Sequence, residues 1–313
     1  MFRYVLVAFT LAALFSCKNE NKDYAKVTND ATVYHGSVKA LTDVIVHDIF
    51  SPPVASRIYS YASIAGYEGA RYGDSTYRSL AGQIPHLVGL PTPEANKEYC
   101  WPMVSSLAFL QTGKTLIFSE DTLQAFITKT LDFYKNSGMP EEVYDRSAAF
   151  AGAISKHIIA WSGKDKYKES RSYPKYSLQK DPATWQPTPP GYMDGIEPSW
   201  NKIRTMVMDS ASQFKPVPPP VFNVKDKNSP FFKEVLETYN TVKNADAEQT
   251  EIANFWDCNP FKMNVAGHAA FATKKISPGG HWMDITGQTA RQVNADVMKT
   301  SQAYAMVAIS LLD

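Results

Sequence analysis

Six histidines are the side chains best suited to act as acid, base or nucleophile near neutral pH. His35, His47 and His157 fall in helical stretches, with no second ligand one turn away and no His-Glu-x-x-His pattern, so each reads as structural. His86 lies in a proline-containing loop. His268 and His281 differ because each follows glycine, in Ala266-Gly267-His268 and Pro278-Gly279-Gly280-His281. Glycine lets a backbone approach a ligand closely, and a histidine beside it can carry a proton or attack an electrophile. The same Pro-Gly-Gly run is also ordinary turn punctuation, with Trp282 as an anchor for the loop. Asp257, after Trp256, is of a type that orients an imidazole, although nothing in the spacing ties it to either histidine. No zinc-ligand pattern, phosphate-binding P-loop or Gly-x-Ser-x-Gly elbow occurs. His281, His268 and Asp257 are therefore the candidate catalytic residues. No metal ligand or cofactor-binding residue stands out, and these residues by themselves name no reaction.

Cysteine use and the start of the chain point to export. Met1-Phe2-Arg3 is a short basic opening, and Tyr4 to Phe15 is an apolar run without charge. That run is short for a membrane-spanning helix, which needs about 20 apolar residues, but it suits the core of a secretory signal. Leu14-Phe15-Ser16-Cys17 resembles the lipobox of bacterial lipoproteins, in which the cysteine receives the lipid. Residues 1–17 are accordingly expected to be a signal peptide, with Cys17 as the lipidation site and membrane anchor. Lys18, rather than Asp, follows the cysteine, which favours the outer membrane, on its periplasmic or surface face. Residues 18–34 read as a flexible polar tether. The other cysteines, Cys100 and Cys258, could pair outside the cytoplasm or remain two separate buried thiols.

Composition limits what residues 35–313 can be. At 44% hydrophobic and 20% charged, the chain can bury a large core. A net charge of +1 gives no basic stripe, so a nucleic-acid partner is not expected. The elements that must position the candidates are mostly helical. Val38, Leu41, Val44, Ile45 and Ile49 mark one face of a helix over 35–50, which Pro52 and Pro53 end before a second helix over 54–72. Further helices are predicted over 101–116, 119–136 (opened by Ser119), 140–161, 229–244, 246–258 and from 281 to the last residue. Between them, 164–220 has no helical period and carries Pro187-Thr-Pro-Pro190 and Pro216-Val-Pro-Pro-Pro220. Each internal proline removes a backbone donor and clashes with the preceding turn, so this stretch reads as an extended strap over the helices. Its Trp185, Tyr192, Trp200 and Phe214 argue for order. The predicted class is all-α, a multi-helix bundle with a proline-rich strap and no convincing strands.

Several segments resemble, in order, the bacterial vanadium-dependent haloperoxidase-like proteins of the type 2 phosphatidic acid phosphatase superfamily. They are Ser51-Pro-Pro-Val-Ala-Ser-Arg-Ile-Tyr-Ser-Tyr61 with Ile64-Ala-Gly-Tyr-Glu68, then Ser79-Leu-Ala-Gly-Gln83 and Leu116-Ile-Phe-Ser-Glu-Asp121. Trp185-Gln-Pro-Thr-Pro-Pro190, Ile196-Glu-Pro-Ser-Trp200, Phe255-Trp-Asp257 and Ile276-Ser-Pro-Gly-Gly-His-Trp282 follow. The resemblance runs from about His35 to Asp313. It implies a helical scaffold, vanadate as the family cofactor, and either peroxide-driven halide oxidation or phosphate ester hydrolysis.

The resemblance also exposes an absence. The family holds its oxyanion with Lys-x6-Arg-Pro, Pro-Ser-Gly-His and Ser-Arg-x5-His motifs, whose cations and backbone donors bind the oxygens. This sequence has no Arg-Pro pair, and neither Ser56-Arg57 nor Ser170-Arg171 has a histidine at the required distance. Pro278-Gly-Gly-His281 has glycine where the second motif has serine. The apolar tail through Met306, Val307, Ile309, Leu311 and Leu312 ends without a glycine cap. The expectation is therefore an amino-terminal portion, inactive alone, that leaves Met306, Val307, Ile309 and Leu311 exposed for a missing carboxy-terminal half. The competing expectation is a helical surface lipoprotein that binds a glycan or other ligand without catalysis.

Overall fold

The computed structural model describes residues 24–313 apart from positions 190, 261 and 273. The expectations for the signal segment 1–17 and for Cys17 lie outside the described residues. The described chain is mostly helical, as the apolar periodicity predicts. In chain order, α1 is Tyr24–Thr28, α2 Thr32–His47, α3 Pro52–Ala70, α4 Trp101–Lys114, α5 Glu120–Lys135 and α6 Glu141–Ser162. A short α7, Tyr167–Ser170, leads into the strap. After it come α8, Pro230–Lys243, and α9, Ala247–Trp256. A hairpin of β1 (Met263–Ala266) and β2 (Ala269–Ala272) precedes α10, Pro278–Gln292, and α11, Val297–Leu312.

Helix α3 is the axis of the core. Every residue from Val54 to Ala70 is buried, which explains its small, little-charged sequence. Small residues let its neighbours approach closely. The Ser105 hydroxyl of α4 donates to the Gly66 carbonyl at 2.8 Å, and a Cβ at Gly69 would lie 3.1 Å from the Ser105 backbone. Helix α6 packs on both α4 and α3; against α4, Ser147 accepts the Cys100 amide at 2.9 Å and Thr112 bonds Ser155 at 3.1 Å. Helices α10 and α11 cover another side of α3. Tyr304 of α11 reaches across them, its ring against Gly287 of α10 and its hydroxyl 3.0 Å from Nδ1 of His35 in α2.

Several expectations need correction. The folded body begins before residue 35. Tyr24 is buried and its hydroxyl donates to Glu98 at 2.6 Å, so the latter part of the 18–34 stretch is helix and turn. Ser119 stands at the N-cap of α5 as predicted, but its side chain makes no cap hydrogen bond; its amide and that of Phe118 donate to Asp48 at 3.0 and 2.9 Å, tying the end of α2 to the start of α5. The helix predicted from 281 onward is two helices. Asn294 takes a positive φ of 49°, and the Asp296 side chain caps α11 by accepting the Lys299 amide at 2.8 Å. Polar residues at 294 and 296 satisfy the broken turn, which an apolar count alone does not register. The short antiparallel hairpin was not legible either.

The exposed apolar surface is also not where the sequence puts it. Of Met306, Val307, Ile309 and Leu311, only Met306 is exposed, because α11 lies along α3 and buries Ile309. The Asp313 carboxylate accepts the amides of Met206, Val207 and Met208 at 2.6, 2.7 and 3.1 Å, joining the strap to the end of α11. Helices α8 and α9 bury no residue. Val235, Leu236, Tyr239 and Val242 of α8 face solvent, as do Phe214, Val217 and Val221 of the strap. Cys100 and Cys258 are buried free thiols.

Candidate functional site

His281 sits in the first turn of α10. Ser277 caps that turn, its hydroxyl accepting the Gly280 amide at 3.2 Å, and Pro278 occupies the adjoining position, where its missing N–H costs nothing. The glycine pair serves packing rather than ligand approach. Gly279 and Gly280 are buried, and a Cβ at 280 would lie 2.6 Å from Ile276 and 3.1 Å from the Tyr59 hydroxyl of α3. The imidazole stacks on Trp256 at 5.1 Å and meets the edge of Phe255 at 5.3 Å. Its Nδ1 is 3.0 Å from Sγ of Cys258. Burial and the neighbouring Asp257 raise the Cys258 thiol above the ordinary range, against the smaller opposing effect of Lys275. The thiol is therefore protonated near neutral pH, and the imidazole tautomer sets which of the two supplies the hydrogen.

The structure does not assemble the three sequence candidates into one catalytic set. Asp257 turns to Lys275, with Oδ2 2.9 Å from Nζ, and this bond holds its carboxyl below the usual range. His268 lies in the exposed turn of the hairpin after Gly267, which has a φ of 60°. Among the described residues, no hydrogen bond links His268 to His281 or Asp257. The aromatic and cysteine neighbours make His281 a packed histidine with one polar contact.

The most heavily bonded polar cluster was missed by the sequence reading. Arg57 and Tyr61, one turn apart on α3, both reach Asp165, beyond the end of α6. Arg57 Nε donates to Asp165 Oδ2 at 2.6 Å, and the Tyr61 hydroxyl donates to the same oxygen at 2.9 Å. The other carboxylate oxygen accepts the Tyr167 amide at 2.9 Å. Arg204, from the strap, donates to the Tyr61 hydroxyl at 2.8 Å and to the Trp161 carbonyl, over whose ring its guanidinium lies at 4.2 Å. Burial and the Asp165 charge keep the Tyr61 hydroxyl protonated. Further along the same face of α3, buried Glu68 pairs with Arg71 and accepts the Ser79 hydroxyl at 3.0 Å and the Leu80 amide at 2.6 Å. A single arginine inside an apolar helix was the only sequence signal. Its partner lies 108 residues away.

No protein-family model matches the sequence, and no curated protein matches it. Among solved structures, the chain is similar to the first bacterial vanadium-dependent iodoperoxidase. The two are 39% identical, with a TM-score of 0.81 over 89% of this chain. The chain spans 66% of the length of that structure, just under two thirds. The class defined by this likeness is plain: the chain has a vanadium haloperoxidase-like fold.

The arginines of the paired clusters do not make a vanadate site. An oxyanion cradle needs several convergent cationic and backbone donors with capacity to spare. Arg57 is neutralised by Asp165, Arg71 by Glu68 and Arg171 by Glu197. Arg204 keeps only Nε without a partner, and one buried donor does not make a cradle. Among the described residues, no group of three or more His, Cys, Asp or Glu is placed to hold a metal ion.

Proposed function

We propose that this chain forms the helical scaffold portion of an exported haloperoxidase-like enzyme and that alone it catalyses neither halide oxidation nor phosphate ester hydrolysis. The observation that carries the reading is the pairing of 39% identity to an iodoperoxidase over 89% of the chain with buried arginines already neutralised by carboxylates. In this reading the oxyanion-binding cations belong to a carboxy-terminal partner segment. The exposed apolar faces of α8 and the strap supply surface for it.

The test is to titrate the purified chain with vanadate by calorimetry and to assay iodide and bromide oxidation with peroxide, alongside phosphate ester hydrolysis. No vanadate binding and no turnover is the expected result. Vanadate-dependent turnover that disappears in His281→Ala would overturn it and make the Pro-Gly-Gly-His segment the site. Export and anchoring through lipid on Cys17, at the outer membrane, belong to the same proposal, supported by the lipobox-like Leu14-Phe15-Ser16-Cys17. Cys17→Ser is expected to abolish incorporation of labelled palmitate; a labelled, membrane-sedimenting variant would refute the anchor.

A further inference from the structure

The strap lines a cleft of about 810 Å³, which Asn259 and Lys262 also line. Tyr176 and Trp185 form its apolar floor. Their rings meet edge to face at 5.5 Å and 79°, and the tyrosine hydroxyl donates to the Trp185 carbonyl at 3.2 Å. The connecting loop braces itself: the Asp181 carboxylate accepts the Ala183 amide at 2.9 Å, and Gln186 donates to the Gln179 carbonyl at 2.9 Å. These contacts brace the two rings, which remain 39% and 48% exposed. Gly195 lies at the corner between them, where a Cβ would be 3.9 Å from each residue. At Tyr176, Asp194 and Gly195 the cleft meets a second cavity of about 360 Å³, so the space is elongated.

We propose that this cleft is a binding subsite for a neutral oligosaccharide. The volume lies in the range of small-molecule sites, roughly 300–1,000 Å³. Asp194 and Lys262 line the main cleft with opposite charges and Thr188 adds a neutral hydroxyl, so that part of the lining carries no excess of either charge; in the adjoining cavity Arg171 is paired with Glu197 and Lys175 adds one cation. A sugar ring matches both halves of the lining. Its C–H face stacks on an exposed aromatic ring, and its hydroxyls both donate and accept at the rim. The inference stands apart from the scaffold reading, because binding at this cleft requires no turnover.

The test uses the full chain and three hexasaccharides, of β-1,4-linked glucose, mannose and galactose, followed by calorimetry and tryptophan fluorescence. Saturable binding of at least one is expected. Trp185→Ala and Gly195→Val should each weaken it by about tenfold or more, a change worth about 1.4 kcal/mol. The glycine variant deletes no contact and only fills the corner. Trp185→Phe should retain most of the affinity, and circular dichroism should show all three variants folded. Absence of saturable binding to all three sugars, or binding indifferent to both weakening variants, would overturn the proposal. Saturation by p-cresol with no response to any sugar would overturn it in favour of an aromatic ligand. The vanadate and peroxide assays report on the scaffold reading independently.

Discussion

Asp165 and Arg57 lie 108 residues apart in sequence and meet with Oδ2 2.6 Å from Nε, their side chains 2% and 7% exposed. The carboxylate is also bonded by Tyr61 and by the Tyr167 amide, so one aspartate joins α3, the end of α6 and the start of the strap. A buried charge left without its partner is expensive, whereas removal of both partners often is not. Asp165→Ala is therefore expected to cost about 3–5 kcal/mol. Arg57→Met with Asp165→Leu should recover much of that loss. Urea midpoints of the single and double variants give the coupling; additive losses would show that the pair is not a unit.

Acid stability should report on His35. Burial, with Arg291 nearby, lowers its pKa from 6.5 to about 4, against a smaller opposing effect of Asp30. The neutral imidazole is the folded form, bonded to Tyr304. Between about pH 6.5 and 4 the unfolded chain binds a proton that the folded chain refuses. This contribution to stability is therefore complete above pH 6.5 and falls as pH drops through that window, by up to about 3 kcal/mol. His35→Gln should flatten this part of the stability–pH curve. An unchanged slope in the variant would assign the pH dependence to other groups.

Tyr304 should couple α10 to α11. Gly287 is occupied so closely by the Tyr304 hydroxyl that an added methyl has no room. Gly287→Ala is expected to lose about 1–3 kcal/mol from overpacking. Tyr304→Phe should lose about 1 kcal/mol with its hydrogen bond to His35. The double variant should be more stable than the sum of the two losses implies, because the phenylalanine frees the space. Thermal melts of all four proteins measure the difference.

The exposed face of α8 should make the isolated chain sticky. Val235, Leu236, Tyr239 and Val242 are all solvent-facing on one amphipathic helix, and contiguous apolar patches promote association. Val235→Glu with Tyr239→Lys should reduce both dye binding and light scattering, while Met306→Glu on α11 should change them little. Equal effects from the two sites would return the sticky surface to the end of α11.

By itself, the sequence determined the helical class, because apolar spacing and proline placement are local signals. Val38, Leu41, Val44 and Ile45 are buried on one face of α2 as their spacing predicts, and Ser51-Pro52-Pro53 marks the start of α3. Proline likewise kept the strap free of long helices. Tertiary structure decided which polar residues meet. Asp165 lies in a stretch without helical period that reads as strap, yet it is buried beneath Arg57 and Tyr61, since distant contacts leave no periodic trace. The glycines before His281 looked suited to ligand approach; only the packing shows that Gly280 makes room for Ile276 and Tyr59. Asp257 and His281 are close in the fold but take different partners, Lys275 and Cys258, because hydrogen-bond direction is set by the positions of whole elements. For the same reason α11 buries Ile309 instead of exposing it: an amphipathic pattern states that a face will be covered, and only the fold supplies what covers it.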